Sequence, residues 1–198
     1  MLLKILYQGK SYENYNYLHN FNIVGKAAKL FNTVSCQFAI HYFFKSKEYL
    51  EGFLRNVSFN LKPNGIFIAT FMDGQTVHKL INKPEKVEGI TNGKTIWAIQ
   101  KMYKSFNKAN PYGKLIDVYL ENTNQFIPEY LVHFEILKTK AREYQLELVK
   151  DAFFEETFNN LYQDFLNNNT SRNIFLDRDL EALNKDTAQK QFSFLNRW

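Results

Sequence analysis

The sequence predicts an α/β fold, and three observations carry that reading. Thr33 to Ala39 is a short apolar run bounded by polar residues. A helical period of apolar positions follows it. Ile66 to Phe71 is then a second apolar run, set off by Lys62-Pro63-Asn64-Gly65. Strand, helix, Pro-Gly turn and strand make a βαβ unit, which implies a parallel sheet and a right-handed crossover. The 198 residues, 45% of them hydrophobic, suffice for one domain with a real core.

The elements follow in order. Residues 1–30 set Tyr12, Tyr15, Tyr17 and Phe21 among asparagines without a clean period. Thr33–Ala39 reads as a strand buried on both faces. Ser46 can cap a helix to about Leu61, with Leu50, Phe53, Leu54, Val57 and Leu61 on its inner face. Lys62 to Gly65 stops that helix, and Ile66–Phe71 is a second buried strand. After Asp73-Gly74 a short helix covers Gln75 to Asn82, and a Lys/Pro/Gly-rich loop runs to Gly93. Thr95–Tyr103 and Lys114–Glu121 are antiparallel strands around the turn Asn110-Pro111-Tyr112-Gly113. Pro128 marks a helix N-terminus, with Glu129 in the first turn and Leu131, Phe134, Leu137, Ala141 and Tyr144 on the buried face. Leu146–Lys150 is a strand candidate, and Glu155–Leu166 a further helix. Asn167 to Ser171 reads as a loop or a partly disordered stretch. A polar helix and the strand-like Phe192–Trp198 close the chain. One domain over residues 1–198 is expected, with 1–31 as a poorly defined N-terminal segment.

Composition narrows the function classes. The net charge of +5 suits a polyanionic partner such as RNA. The single cysteine, Cys36, excludes a disulfide framework and fits a reducing compartment. Met1 to Tyr7 is too short and too soon interrupted for a signal peptide, and no apolar run approaches membrane-spanning length. An intracellular, not secreted, location is expected.

Chemistry concentrates after the first strand. Ligands of open α/β sheets sit beyond the carboxyl ends of the strands. Gln37, His41 and Tyr42 fall there. Each also has a structural reading: Gln37 and His41 as satisfied polar groups beside the core, Tyr42 as packing, and Glu129 as a charge suited to a helix N-terminus. Lys94, Lys101, Lys104 and Lys108, interleaved with Trp97, Tyr103 and Phe106, form either an RNA-facing surface or a solvated hairpin face.

Several ordered blocks resemble the mRNA cap guanine-N7 methyltransferases, above all those of large DNA viruses. They are Ser35-Cys36-Gln37-Phe38-Ala39-Ile40-His41-Tyr42-Phe43-Phe44, Leu54-Arg55-Asn56-Val57, Lys62-Pro63-Asn64-Gly65, Ala69-Thr70-Phe71-Met72-Asp73-Gly74 and Pro128-Glu129-Tyr130-Leu131-Val132-His133-Phe134. Phe192 to Trp198 is similar to the family's last strand. The likeness runs from about Asn32 to Trp198.

The resemblance implies a class I, Rossmann-like fold that uses S-adenosylmethionine to methylate N7 of the cap guanine. It implies that Gln37, with Cys36 and Phe38, borders the methyl donor. His41 and Tyr42 would lie against the cap, and Glu129 would read the guanine edge. Met72-Asp73 would wall the cap pocket where cellular relatives often carry Pro-Asn. The family's C-terminal aromatic contact would fall between Phe194 and Trp198. No catalytic base or metal is expected, because N7 has a free lone pair and no proton to lose. The expected partner is RNA with a GpppN 5′ end.

The family opens with a strand, a glycine-rich loop and a helix. The residues before Asn32 hold no such loop, and Gly9 and Gly25 stand alone. The first strands of the sheet, and with them the donor motif, are therefore expected to be absent. A missing N-terminal segment or a second polypeptide would supply them. The other-class reading is a non-catalytic, cap-binding or stimulatory subunit of a capping complex.

Overall fold

The computed structural model describes residues 30–107, 109–167 and 174–198. Residues 1–29 and most of the Asn167–Ser171 loop lie outside this range. The chain is α/β, as expected, with two sheets.

The first sheet has the order β1-β2-β7. Strand β1 (Phe31–Gln37) runs parallel to β2 (Leu61–Met72), and β7 (Asn196–Arg197) is antiparallel to β2. A short 3₁₀ helix (Ile40–Lys45) and α1 (Lys47–Asn60) join β1 to β2. The predicted βαβ unit is present. Ser46 caps α1 by accepting from the Tyr49 amide, and Leu50, Leu54 and Val57 are buried, one turn apart.

The turn at Lys62–Gly65 survives in altered form, inside β2. Phe31 pairs with Leu61 and Thr33 with Ile66, so the turn loops out of the ladder. Asn64 takes a left-handed backbone there, with φ 62°.

The expectation that the first strand is buried on both faces and the second is a buried strand is corrected. Phe67, Ala69 and Phe71 face the core, whereas Ile66 and Ile68 are exposed, and β1 alternates between exposed and half-buried. Side chains alternate across a strand. The 3₁₀ helix, α1 and α3 (Phe134–Glu143) pack the face that carries Phe67, Ala69 and Phe71, and on the other face Met72, at the end of β2, packs on the separate core cluster around Trp97.

Asp73 caps α2 (Gly74–Ile81), within a residue of the expected helix. The expected loop up to Gly93 instead holds β3 (Lys86–Thr91), which pairs with β4 (Lys94–Lys101). Asn92 and Gly93 both have positive φ, 52° and 76°, as a tight hairpin turn requires. Strands β4 and β5 (Leu115–Leu120) pair antiparallel, as predicted.

The largest correction concerns Pro128. Gln125–Tyr130 is β6, paired with β5, and the helix does not begin until Phe134. Pro128 is tolerated because β6 is an edge strand of the four-stranded sheet β3-β4-β5-β6. Glu129 therefore sits on a strand opposite Ile116, and the helix-dipole reading lapses.

Leu146–Lys150 forms no strand. The helix expected at Glu155–Leu166 is α4 (Phe154–Leu166), and the polar helix is two, α5 (Ile174–Lys185) and α6 (Thr187–Ser193). Of the strand expected at Phe192–Trp198 only β7 forms, because Phe192 and Ser193 end α6.

Two hydrophobic clusters form the core. Val77 and Ile81 of α2 pack on Trp97, Ile99, Ile116 and Val118 of the four-stranded sheet. Ile40, Phe44, Leu50, Leu54, Phe71 and Leu137 fill the space under the parallel strands. Leu131 belongs to the first cluster and Val132 to the second. The segment after β6 is thus the seam between the two halves.

Candidate functional site

The 3₁₀ helix starts three residues after β1 ends, so His41 and Tyr42 stand just beyond the carboxyl end of a parallel strand. Strand β6 brings Glu129 to them, with His41 Nδ1 3.6 Å from Glu129 Oε2. That separation is longer than a hydrogen bond. The two side chains are largely buried, 11% and 16% exposed. Burial holds the His41 imidazole down to about 4 and pushes the Glu129 carboxyl up to about 7. Near neutral pH the pair is a neutral ring facing a carboxyl poised between its two forms, not an ion pair.

His41 Nε2 is buried without a hydrogen-bond partner among the described residues. A buried, unpartnered polar atom costs about 1–3 kcal/mol unless something binds it. Tyr42 is the opposite case. It is 53% exposed, its ring centroid 4.1 Å from that of His41 at an interplanar angle of 55°. It offers an aromatic face to whatever enters.

The other candidates fall on either side. Gln37 pairs with Thr70 across β1 and β2, accepts from Thr70 Oγ1 at 2.8 Å and donates to Ser35 Oγ at 2.8 Å. Phe38 is half exposed with φ 49°, and its amide donates to the Thr70 carbonyl at 2.9 Å. Cys36 alternates to the other face, packs against the core under the parallel strands, and has its thiol pushed up by burial. The structure therefore sets Gln37 and Phe38 at the strand end and turns Cys36 away from the face that Gln37 shares with Ser35.

Met72-Asp73 lies next to the Glu129 segment. Asp73 and Val132 form a parallel bridge, and the Gly74 amide donates to the Val132 carbonyl. Asp73 is 3% exposed, and both oxygens are committed. Oδ1 accepts from the Thr76 amide and hydroxyl, each at 2.9 Å, and Oδ2 is 3.4 Å from Arg197 Nε. The C-terminal aromatics turn toward α4. Phe194 packs on Phe158 with centroids 5.6 Å apart, and Trp198 Nε1 donates to Thr157 Oγ1 at 2.9 Å.

The lysine–aromatic stretch is largely a hairpin face. Lys94 pairs with Glu121 and Lys101 with Glu85, while Trp97 is buried and donates to the Ala188 carbonyl. Lys108 lies outside the described residues.

One concavity was not read from the sequence. A cavity of about 420 Å3 is lined by Gln75, His78 and Lys79 of α2 and by Phe106, Asn107 and His133. A signal was there: His133 lies in the same block as Glu129, and Phe106 stood among the interleaved aromatics.

The fold is α/β, and the candidate site lies just beyond the end of a parallel strand. Residues 16–193 match the model of the mRNA (guanine-N(7))-methyltransferase domain, and the chain belongs to that family. It is similar to the mRNA cap guanine-N(7) methyltransferase of Saccharomyces cerevisiae, 36% identical over 131 residues, covering 63% of this chain and 30% of the yeast protein. A probable mRNA-capping enzyme of Acanthamoeba polyphaga mimivirus is 31% identical over 138 residues, 65% of this chain and 12% of that one. Among solved structures, an S-adenosylmethionine-dependent methyltransferase from Clostridium acetobutylicum aligns at TM-score 0.45 and 12% identity, over 63% of this chain and 51% of that one. The chain thus spans about a third or less of these curated relatives.

Proposed function

We propose that this chain is the cap-binding part of an mRNA cap guanine-N7 methyltransferase, which transfers a methyl group from S-adenosylmethionine to N7 of the cap guanine. The observation that carries the reading is the convergence of His41, Tyr42 and Glu129, with His41 Nε2 buried and unpartnered. Guanine offers donors at N1 and N2 and an acceptor at O6. Ionised Glu129 accepts from N1 and N2, a charge-assisted pair about twice as strong as a neutral one. Neutral His41 carries one ring N–H, which can donate to O6. The Tyr42 face stacks the base, worth roughly 1–3 kcal/mol.

The strand-end residues fit the edge of a methyl-donor site. Gln37 and Phe38 are exposed beside Thr70, in the crevice where α/β sheets take ligands. When bound, S-adenosylmethionine supplies an activated sulfonium methyl. Cys36, turned to the core, has no part in holding it. The chain's own work is binding and alignment. Orientation of this kind can supply on the order of 7–11 kcal/mol. No residue has to take a proton from N7.

The test uses the longest protein that contains these residues, with labelled S-adenosylmethionine and GpppG-capped RNA. Labelled N7-methylguanosine caps are expected. Glu129→Ala should abolish the preference for guanine over adenine nucleotides and leave donor affinity nearly unchanged. No cap methylation, with guanine and adenine bound equally by the unaltered protein, would overturn the reading.

A further inference from the structure

The cavity beside α2 is built unlike the hydrophobic clusters around it. Its walls include rings in a connected series, His78 to Phe106 at 5.2 Å between centroids and Phe106 to His133 at 5.3 Å, with Tyr103 backing His78. His78 is held by a 2.7 Å hydrogen bond between its Nδ1 and the Tyr103 hydroxyl. The amides of Gln75 and Asn107 border the same space, and among the described residues Asn107 engages its oxygen, which accepts from the Asn110 amide at 3.0 Å. Lys79 is exposed at the rim and takes no carboxylate partner among the described residues. Aromatic faces, amide donors and one uncommitted cation are what a single nucleotide of unpaired RNA requires: a stacked base, an edge to bond and a phosphate to neutralise. A volume of about 420 Å3 is within the usual range for small-ligand sites.

The position fixes which nucleotide. His133 follows Glu129 by four residues along β6 and its extension, at most roughly 13 Å at the rise of an extended strand. A triphosphate-linked neighbour of the cap guanine can span that interval. We infer that this cavity binds the first transcribed nucleotide, the base joined to the cap through the triphosphate. The inference rests on the cap reading for the guanine itself, and the experiment separates the two.

The whole chain is titrated with GTP, which mimics the cap guanine alone, and with the capped dinucleotide GpppA, while the histidine ring resonances are followed. The cap reading expects His41 to shift with both probes. The cavity assignment expects His78 and His133 to shift with GpppA and not with GTP. Shifts of His41 alone with GpppA would overturn the cavity assignment and leave the cap reading standing. Shifts of His78 and His133 with His41 unmoved would support the cavity and overturn the cap reading. No shift at any of the three rings overturns both. Phe106→Ala is expected to weaken GpppA binding roughly tenfold and to leave GTP binding unchanged. Lys79→Ala, a change of exposed surface, should weaken GpppA further as salt falls. Equal losses for the two probes with Phe106→Ala would count against the assignment.

Discussion

The Gly74 amide donates to the Val132 carbonyl at 2.9 Å, and no side chain fits between them. A Cβ on Gly74 would stand 2.5 Å from that oxygen and 3.0 Å from the Val132 nitrogen and carbonyl carbon. This contact binds the turn that carries Met72-Asp73 to the segment that carries Glu129. Every obstructing atom is backbone, so relief requires the two segments to part. Gly74→Ala is expected to destabilise the protein by about 1–3 kcal/mol, the usual cost of overpacking. It should also weaken guanine-nucleotide binding, since Glu129 shifts with its strand. Denaturant titration beside a nucleotide titration checks both. An unchanged unfolding midpoint would show that the contact is slack.

Glu129 makes stability depend on pH in a defined direction. Its carboxyl titrates at about 7 in the folded chain, against 4.5 for an unperturbed one. Between those values the folded protein holds the proton that the unfolded chain releases, so stability falls as pH rises from about 4.5 to 7. His41 is lowered from 6.5 to about 4 and acts oppositely, adding stability as pH rises from 4 to 6.5. The two largely cancel up to 6.5, and the cost of Glu129 remains above it. Glu129→Gln removes the buried charge. It should raise stability at pH 8 by on the order of 1–3 kcal/mol, with the gain vanishing near pH 4.5. Thermal unfolding at both pH values decides it, and a destabilised variant at pH 8 would mean the carboxylate is well solvated.

On the proposed cap reading the same carboxyl sets base choice. Ionised, it would accept from guanine N1 and N2. Protonated, it presents a donor and an acceptor, the complement of adenine N1 and N6. The preference for guanine over adenine is therefore expected to grow as pH rises through about 7. Below that value it should change by nearly tenfold per pH unit at most. GTP and ATP titrations at pH 6, 7 and 8 measure it. Glu129→Gln should flatten the profile. A guanine preference independent of pH in the unaltered chain would place the reading group elsewhere.

Much of this geometry was legible in the residues, for reasons that can be named. The βαβ unit could be read because Ser46, the leucine period and Lys62–Gly65 each speak locally. The same holds for Asp73 as a cap, since its oxygen reaches only three residues ahead. Strand β6 was hidden because Pro128 signals a helix start as readily as an edge strand, and only the partner β5 decides between them. β3 was hidden behind Lys83-Pro84, although Asn92-Gly93 carries a hairpin signal of its own. Of the site, His41 and Tyr42 were legible from their place after the first strand and Glu129 only from a resemblance, and the structure sets them together. Their electrostatics could not be read, because burial is a property of the whole fold. The cavity beside α2 was missed for a like reason: its walls come from three separate stretches of chain.

Arg197 pins the last strand behind the Met72-Asp73 turn, and its shape matters as much as its charge. The guanidinium lies 4.2 Å from the Phe134 ring centroid and 4.0 Å from that of Phe153, a cation between two faces. Its edges meet Asp73 and Asp151. A lysine keeps the charge and loses both the planar stack and the fork. Arg197→Lys is therefore expected to cost about 1–2 kcal/mol, the range of a partly desolvated cation–π contact. Arg197→Met should cost more, because it leaves Asp73, nearly wholly buried, without its countercharge. Asp73→Asn, which can still cap α2 through its side-chain oxygen, should recover part of the loss in the Arg197→Met background. A double-mutant cycle in denaturant reads the coupling directly. Additive losses would show that Asp73 serves α2 alone and that the aromatic rings, not the carboxylates, hold the strand.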